Sequence, residues 1–206
     1  MGNGFYFDMT ACIGCRTCQV ACKDKNDLEM GVIFRRLSDF EVGEYPAVQT
    51  YHYSGSCNHC EKPECVAACP NAAMYIDEED GTVQHDDEKC IGCRMCINAC
   101  PYNARSYHDV DQSATPYYEG YEMTPYEEMR ASEHPIGVVE KCVMCKERTA
   151  QGEEPSCVKT CITKSRWFGD LDDPTSEINV MIKKLGAKPL MEDLGTKPSV
   201  YYAGLV

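Results

Sequence analysis

The chain has 206 residues, sixteen of them cysteine, and a formal net charge of −13. Such an acidic protein repels the phosphate backbone, so the charge argues against nucleic acid as a partner. No run of about 18 apolar residues is present, so the sequence predicts no transmembrane segment of its own.

Cysteine at this frequency has three ordinary uses, which are disulfides, zinc sites and iron–sulfur clusters. Disulfides need an oxidising compartment, and the start of the chain has neither the positive region nor the apolar run of a secretion signal. Zinc sites favour CxxC pairs that are spaced well apart. In the central run at 90–100 a third cysteine follows the first pair at once, which favours a cuboidal cluster over a tetrahedral ion.

A short strand is predicted at residues 5–10, and the first cysteine motif follows it. Motif one consists of Cys12, Cys15, Cys18 and Cys22. Gly14 permits a positive φ there, so that backbone N–H groups can turn toward cluster sulfurs. The segment from Thr17 to Lys25 is predicted to form one or two helical turns.

Residues 26–56 contain no cysteine and are predicted to form two strands, Val32 to Leu37 and Val48 to Tyr53. Two roles are open for His52 and His59. They could be metal ligands or proton sites coupled to redox chemistry, or they could be ordinary histidines that are hydrogen-bonded or exposed. The ordinary role is the more common one.

Motifs two and three lie on either side of a predicted hairpin at 71–83, which turns at Asp80-Gly81. Motif two consists of Cys57, Cys60, Cys65 and Cys69. Motif three consists of Cys90, Cys93, Cys96 and Cys100, and Pro101 follows it. The spacing of motif three is typical of bacterial 4Fe–4S proteins, in which the fourth cysteine ligates the other cluster of a pair. The segment 57–105 is therefore predicted to be one two-cluster ferredoxin module.

Residues 106–140 form a predicted insertion that is rich in Tyr, Glu and Pro. The sequence Thr124-Pro125-Tyr126-Glu127 is typical of a helix start and predicts a helix to about Ala131. Two roles are open for the tyrosines of the insertion, which could form a protein interface or cover the cluster core. Motif four follows and consists of Cys142, Cys145, Cys157 and Cys161.

The remainder of the chain is predicted to form a strand, a helix and a last strand. The strand is Arg166-Trp167-Phe168, with Trp167 in the core. The helix is expected to be capped by Asp173, to begin at Pro174 and to end before Gly186. Its apolar face is expected to pack on the body of the chain. That face consists of Ile178, Met181, Ile182 and Leu185, and the last strand lies within 194–202.

Four motifs of four cysteines predict four 4Fe–4S clusters, here numbered as sites. Motifs two and three are adjacent, so they are expected to exchange their fourth cysteines, and motifs one and four are left to do the same. Site 1 is then Cys12, Cys15, Cys18 and Cys161. Site 2 is Cys142, Cys145, Cys157 and Cys22. Site 3 is Cys57, Cys60, Cys65 and Cys100. Site 4 is Cys90, Cys93, Cys96 and Cys69.

Positive charge is concentrated near the cysteines. The stretches 12–25, 57–70, 89–105 and 141–166 hold 13 of the 20 Lys and Arg residues but only 6 of the 33 Asp and Glu residues. Cations and N–H donors near an anionic cluster stabilise it and raise its reduction potential. The alternative is that these cations only occupy exposed loops. Among them are Arg16, Lys23, Arg94, Arg105, Lys146, Arg148, Lys164 and Arg166.

The predicted fold class is α+β, with two ferredoxin-like two-cluster modules, short hairpins, short helices and a C-terminal helix. The first module is 57–105. The second is discontinuous, comprises 1–56 and 141–170, and is expected to wrap around the first. Residues 106–140 are the insertion, and 171–206 form the C-terminal helix and tail.

The order of the motifs, together with several short segments, resembles the iron–sulfur (beta) subunits of the dimethyl-sulfoxide-reductase family of molybdopterin oxidoreductases. These segments are Phe7-Asp8, Cys12-Ile13-Gly14-Cys15-Arg16-Thr17-Cys18, Phe34-Arg35-Arg36, Cys57-Asn58-His59-Cys60, Cys100-Pro101-Tyr102 and Leu194 to Tyr202. The resemblance covers nearly the whole chain except 106–140. That insertion is longer than expected for the dimethyl sulfoxide reductase subunit itself.

The resemblance implies a large catalytic partner that carries a molybdopterin-guanine-dinucleotide centre, and a quinol-oxidising membrane subunit or another electron donor. It also implies that site 1 lies nearest the catalytic subunit and site 4 nearest the donor. The subunit would be peripheral, held at a membrane through its partners or part of a soluble complex, and either cytoplasmic or exported with a twin-arginine-signal partner.

No constellation typical of a catalytic site is apparent in the sequence, so the chain is expected to transfer electrons and not to catalyse. Sulfoxide or oxyanion reduction and dehydroxylation of a phenol are both chemistries that the resemblance allows for the whole complex. Two other hypotheses are a free-standing polyferredoxin and a structural zinc protein. Iron and zinc content separates the second of these from an iron–sulfur protein.

Overall fold

The computed structural model describes residues 2–28, 31–109, 120, 122, 124–130 and 134–205. Strands and short helices alternate through these residues, as the α+β prediction requires. Tyr117, Tyr118, Tyr121 and Ala131 of the insertion lie outside the described residues. Within the described part of the chain, no helix has the length and apolar character needed to cross a membrane.

The largest sheet of the described residues has four strands. Strand β1 (Asn3–Asp8) lies in its middle, antiparallel to β8 (Arg166–Asp170) and parallel to β10 (Val200–Ala203). Strand β9 (Lys188–Pro189) forms an edge. The predicted strands at 5–10, 166–168 and 194–202 are confirmed. The sheet joins the first and last parts of the chain.

Alternate side chains of β1 face opposite sides of this sheet. Phe5 and Phe7 are buried on the side that also holds Cys18 and Cys157. Tyr6 is buried on the other side, which packs against the C-terminal helix. One short strand therefore contributes to two apolar cores.

Three two-stranded antiparallel sheets complete the strand content of the described residues. Strands β2 (Arg35–Val42) and β3 (Gln49–Ser56) form the longest of them. Strands β4 (Met74–Ile76) and β5 (Val83–His85) form the hairpin predicted between motifs two and three. Strands β6 (Ser106–Tyr107) and β7 (Val139–Glu140) pair the two ends of the insertion.

The prediction that the first strand of the long hairpin begins at Val32 is wrong. That strand, β2, begins three residues later, at Arg35, and extends to Val42. Val32 and Phe34 are buried in an apolar cluster with Cys22, Cys57 and Cys142. The apolar run at 32–34 therefore reflects burial of a loop against cysteines and not an alternating strand.

Most helices are short and begin inside or beside the cysteine motifs. They are α1 (Thr17–Lys25), α2 (Glu64–Ala67), α3 (Met95–Asn98), α5 (Lys146–Thr149) and α6 (Ser156–Lys159). Helix α4 (Pro125–Arg130) lies in the insertion. Its predicted start is confirmed, because the N–H and hydroxyl of Thr124 donate to Glu127 Oε2 and the Glu127 N–H donates back to Thr124 Oγ1.

The C-terminal helix α7 is Glu177–Leu185, so the predicted start at Pro174 is wrong by three residues. The Asp173 carboxylate accepts hydrogen bonds from the Thr175 N–H and hydroxyl, at 2.8 and 2.7 Å. Asp173 therefore caps a turn that precedes the helix. Gly186 has a φ of +58° and ends the helix as predicted.

The apolar face of α7 packs on the main sheet. Ile178 is 1% exposed and lies in a cluster with Tyr6 and Ala203, against which Trp167 also packs. Met181 and Ile182 lie at the edge of the same cluster. Leu185 does not belong to it and is 44% exposed.

Replacing Ile178 by alanine is expected to lower the free energy of unfolding by about 2–5 kcal/mol, because the change leaves a cavity in a fully buried position. Anaerobic urea denaturation of the iron-loaded protein, followed by circular dichroism, measures the change. Val180→Ala on the same helix is the control, because Val180 is 50% exposed. Its effect should stay within about 0.5 kcal/mol. Equal effects of the two substitutions would show that α7 does not pack as described.

Candidate metal centres

The backbone has the same local conformation at the start of all four motifs. The residue before the second cysteine has a positive φ in each case, at Gly14 (+69°), His59 (+43°), Gly92 (+66°) and Met144 (+60°). This conformation directs backbone N–H groups toward sulfur. The His59 N–H donates to Cys57 Sγ at 3.5 Å, and the Met144 N–H donates to Cys142 Sγ at 3.4 Å. Sequence predicts the role of Gly14, but nothing in the sequence marks His59 or Met144.

Gly92 also has a steric reason to be glycine. A Cβ at this position would lie 2.3 Å from the carbonyl oxygen of Gly137, in addition to the cost of its positive φ. Gly137 lies just before β7, so the loop of motif three packs directly against the end of the insertion.

The four cysteines of site 1 line one cavity at the end of the main sheet. Phe7, Leu37 and Arg166 line it as well. Cys161 Sγ lies 3.2 Å from the hydroxyl of Ser165. The cavity thus brings the first three cysteines of motif one together with the last cysteine of motif four.

The four cysteines of site 4 line a second cavity. Met74 and Val139 form part of its apolar wall, and Arg94 lies beside it. The Arg94 guanidinium stacks 3.7 Å from the centre of the Tyr107 ring. This cavity brings the first three cysteines of motif three together with the last cysteine of motif two.

Within site 2, and likewise within site 3, the cysteines lie close enough to shift one another's pKa. Burial raises the pKa of Cys22 well above its usual value, and the neighbouring Cys142, Cys157 and Cys145 raise it further. Burial likewise raises the pKa of Cys60 to about 12, with contributions from Cys57, Cys65 and Cys100. The neighbours of these two thiols are the same cysteines that the sequence groups with them.

Apolar clusters connect the four sites in a fixed order. One cluster contains Cys18 of site 1 and Cys157 of site 2. Another contains Cys22 and Cys142 of site 2 together with Cys57 of site 3. The next contains Cys65 of site 3 and Cys96 of site 4, with Cys69 and Cys90 packed against it. The sites therefore follow one another in the order 1, 2, 3, 4.

The exposed cysteines belong to the first and last of these sites. Ten of the sixteen are buried and four are partly buried, whereas Cys15 and Cys93 are exposed. Exposed apolar side chains lie beside both. Ile13 is 60% exposed next to site 1, and Ile91 is 65% exposed next to site 4.

Four buried cations lie among the cysteines, namely Arg35, Arg105, Lys141 and Arg166. The charge pattern of the sequence singles out Arg105 and Arg166, includes Lys141 only as one of the 13 cations in the cysteine-bearing stretches, and does not include Arg35. Arg105 donates to Cys65 Sγ at 2.5 Å and to Cys57 Sγ at 3.6 Å. The Arg166 guanidinium lies over the Phe7 ring at 4.3 Å, beside the cavity of site 1.

Other cations that the sequence singled out make surface contacts. Arg16 pairs with Asp39, Lys146 pairs with Asp77, and Arg148 pairs with Glu153. Lys146 and Arg148 are half-buried on α5 and pair with carboxylates, whereas Arg16 both pairs with Asp39 and lines the cavity of site 1. Arg105, which hydrogen-bonds two sulfurs, differs from these three cations by its burial.

The buried cations favour the thiolate form that binds iron. Burial alone raises the pKa of Cys57, but the neighbouring Lys141 and Arg105 outweigh that effect and the pKa is lowered. Burial similarly raises the pKa of Cys18, and Arg166 and Arg35 reverse the direction. By contrast, burial raises the pKa of Cys142 to about 12 even though Arg35 opposes it.

The two histidines have different environments. His52 Nδ1 lies 2.7 Å from Asp39 Oδ1, and its ring packs where a Cβ on Gly14 would be. His59 is buried, and its Nδ1 accepts a hydrogen bond from the Val83 N–H at 3.2 Å. Burial, together with Lys141 and Arg105, holds the pKa of His59 well below its usual value, so its ring is neutral.

These residues fit a 4Fe–4S cluster at each site, because such a cluster needs four thiolates and is stabilised by N–H donors and nearby positive charge. Positive φ before each second cysteine supplies the donors, and the buried cations supply the charge. The fold and the cysteine groups define a 4Fe–4S protein of the ferredoxin class.

Comparison with known proteins agrees with this class. A family described as 4Fe-4S dicluster domain matches residues 48–117 and 108–171, and a 4Fe-4S binding domain matches residues 9–30. One subunit of the selenate reductase of Mesobacillus selenatarsenatis is 40% identical, over 95% of this chain and 69% of that protein. One subunit of the sulfite dehydrogenase of Allochromatium vinosum is 35% identical, over 95% and 80%. One subunit of the anaerobic dimethyl sulfoxide reductase of Escherichia coli is 36% identical, over 82% and 74%.

This protein belongs to the iron–sulfur (beta) subunits of the dimethyl-sulfoxide-reductase family of molybdopterin oxidoreductases. It is an electron-transfer subunit and carries four 4Fe–4S clusters. The predicted family, function and cofactors are thereby confirmed.

Proposed function

We propose that sites 1, 2, 3 and 4, with the cysteines assigned to them above, hold the four clusters in that order between two partner proteins. The observation that carries the proposal is the exposure of Cys15 and Cys93, which belong to the first and last sites. Bound 4Fe–4S clusters supply one-electron redox chemistry. The chain itself supplies thiolates, N–H donors and a series of buried apolar clusters that contain the cysteines.

One end of this order is proposed to contact a large molybdopterin catalytic subunit at site 1. The other end is proposed to contact the electron donor or acceptor, such as a quinol-linked membrane subunit, at site 4. Ile13 and Ile91 support both contacts, because an apolar side chain that is exposed beside a redox centre is suited to a protein interface. The names of the relatives, each one subunit of a reductase or dehydrogenase, support membership of such a complex.

The division into modules also belongs to this proposal. Residues 57–105 would form the module of sites 3 and 4, and residues 1–56 with 141–170 would form the discontinuous module of sites 1 and 2. The pairing of β1 with β8 supports the second module, because it joins residues 3–7 to 166–170. The pairing of β4 with β5 supports the first.

Replacing Cys93 by serine is expected to damage the site 4 cluster and to slow electron entry from the physiological donor at least tenfold. Activity of the catalytic partner with an artificial donor should stay largely intact, because that donor does not need site 4. Steady-state assays of the purified complex with the two donors measure both effects. Cys15→Ser at the other exposed cysteine is the matched comparison.

Three results would contradict the proposal. Equal loss of both activities in Cys93→Ser would show that site 4 is not the entry point. Slower physiological transfer in Cys15→Ser with no effect in Cys93→Ser would reverse the order of the sites. Purification of the chain from native cells without any partner would favour the free-standing polyferredoxin.

A further inference from the structure

The three junctions between consecutive sites have one feature in common beyond their apolar contacts. A buried cation lies at each, Arg35 between sites 1 and 2, Lys141 between sites 2 and 3, and Arg105 between sites 3 and 4. Lys141 and Arg105 form hydrogen bonds at their junctions, and Arg35 lies against the apolar cluster shared by sites 1 and 2.

Lys141 occupies the middle junction and has no exposed surface. Its Nζ donates to the carbonyl of Cys142, a site 2 ligand, at 2.9 Å. It also donates to the carbonyl of Val83, which packs against Cys65 of site 3. Lys141 directly precedes a site 2 ligand in the sequence, and its ammonium is hydrogen-bonded to a residue that packs against site 3. Its charge therefore acts on both sites.

Arg105 occupies the last junction. Its two terminal nitrogens donate to Cys57 and Cys65 of site 3. Cys65 lies in the same apolar cluster as Cys96 of site 4, so the guanidinium is close to both sites. Its Nε has no hydrogen-bond partner among the described residues. Nη1 also donates to the carbonyl of Ala104 at 3.1 Å, and among the described residues the guanidinium pairs with no carboxylate.

Arg35 occupies the first junction. It lies 5.2 Å from the centre of the Phe5 ring, in the apolar cluster that contains Cys18 of site 1 and Cys157 of site 2. Its Nη2 donates to the hydroxyl of Ser56 at 2.9 Å. The neighbouring Phe34 packs against Cys22 of site 2, so the Arg35 backbone lies beside that site as well.

Across the residues that the structure describes, none of these three cations forms a salt bridge. A buried charge is very unfavourable unless an opposite charge lies nearby. Ligated clusters carry net negative charge, and among the described residues these cations lie beside ligand cysteines and form no ion pair with a carboxylate. The clusters are therefore the counter-ions.

We propose that Arg35, Lys141 and Arg105 are each shared by the two neighbouring clusters at their junction, and that each raises the reduction potentials of both. An electron on either cluster adds negative charge next to the same cation, so the reduced form of each is stabilised. This inference rests on the ligand sets proposed above. It goes beyond them because it predicts which two potentials change together.

The test is Lys141→Met in the iron-loaded complex, with each midpoint potential followed by EPR-monitored redox titration. The signals of sites 2 and 3 are first assigned with Cys145→Ala and Cys60→Ala. Both of those potentials should fall by about 59 mV, a tenfold change in the equilibrium constant of a one-electron couple. The potentials of sites 1 and 4 should change much less.

Lys184→Met is the matched control, because it removes the same charge from an exposed position on α7 and should leave all four potentials unchanged. Lys141→Arg keeps the charge and should restore both potentials. If only one potential or none falls in Lys141→Met, or if Lys184→Met has the same effect, the proposal is wrong.

Should Lys141→Met bind fewer irons than the wild-type protein, Arg105→Met and Arg105→Lys test the same idea at the last junction. Arg105→Met should lower the potentials of sites 3 and 4 together, and Arg105→Lys should lower them less. Arg36→Met, at an exposed arginine on β2, is the control. If the Cys145→Ala and Cys60→Ala variants alter one and the same signal, the ligand sets are wrong, and this outcome is distinct from a failure of the shared cation.

Discussion

Removal of iron is expected to unfold most of the chain. Among the described residues, three of the four apolar clusters contain cysteines, and ten cysteines are buried. Without iron, these apolar clusters lose the iron–sulfur groups around which they pack. The ligating cysteines bring distant segments together only when metal is bound. A ferrous chelator applied anaerobically should release about sixteen irons per chain. Circular dichroism and size-exclusion chromatography should then report an expanded chain with little regular structure.

The remaining apolar cluster is too small to hold the fold by itself. It consists of Tyr6, Ile178 and Ala203, with a few partly buried neighbours that include Trp167. Trp167 is the only tryptophan, so its fluorescence reports this part of the chain separately. The control is incubation with the same chelator already saturated with iron. An iron-free chain that kept its circular dichroism and unfolded cooperatively would contradict the prediction.

Exchange of the fourth cysteines between motifs gives the second large effect. Cys69→Ala is expected to abolish the same EPR signal that Cys93→Ala abolishes, because both cysteines line the cavity of site 4. Cys100→Ala is expected to abolish a different signal, the one that Cys60→Ala removes. In each variant the iron content should fall from about sixteen to about twelve per chain.

Cys69 and Cys100 are well matched for this comparison. Both are partly buried, and each is the fourth cysteine of its motif. A difference between them therefore reflects the cluster that each ligates and not burial. If Cys69→Ala abolished the EPR signal that Cys60→Ala removes, and not the one that Cys93→Ala removes, each motif would hold its own cluster without exchange.

Three features can be predicted from the sequence because each depends on spacing over a few residues. They are the cysteine motifs, the hairpin at 74–85 and the strand that begins at Arg166. The ligand spacing of motif three and the Asp-Gly turn act over a few residues. The start of α7 was missed because the Asp-Pro pair can cap either a helix or a turn, and here Asp173 caps a turn.

Arg35 and Lys141 could not have been found in this way. Arg35 is more than ten residues from the nearest cysteine in the sequence, and it lies beside the cysteine-bearing core because the first residues of β2 are buried there in the folded chain. Lys141 is next to Cys142 in the sequence, but this position does not predict burial. The exposed Arg16, Lys89 and Arg94 are also each next to a cysteine. The burial of Lys141 depends on the Val83 carbonyl, which lies 58 residues away along the chain.

The parallel pairing of β1 with β10 has a consequence for synthesis on the ribosome. Strand β1 emerges first, yet its partner strands emerge only at residues 166–170 and 200–203. Contacts between segments so far apart form late and slowly. We expect the nascent chain to fold the compact stretch around the β4–β5 hairpin before β1 pairs with another strand. Cofactor delivery would then proceed from the middle of the sequence outward, and a truncated polypeptide that stops before Arg166 would leave β1 without either of its partner strands.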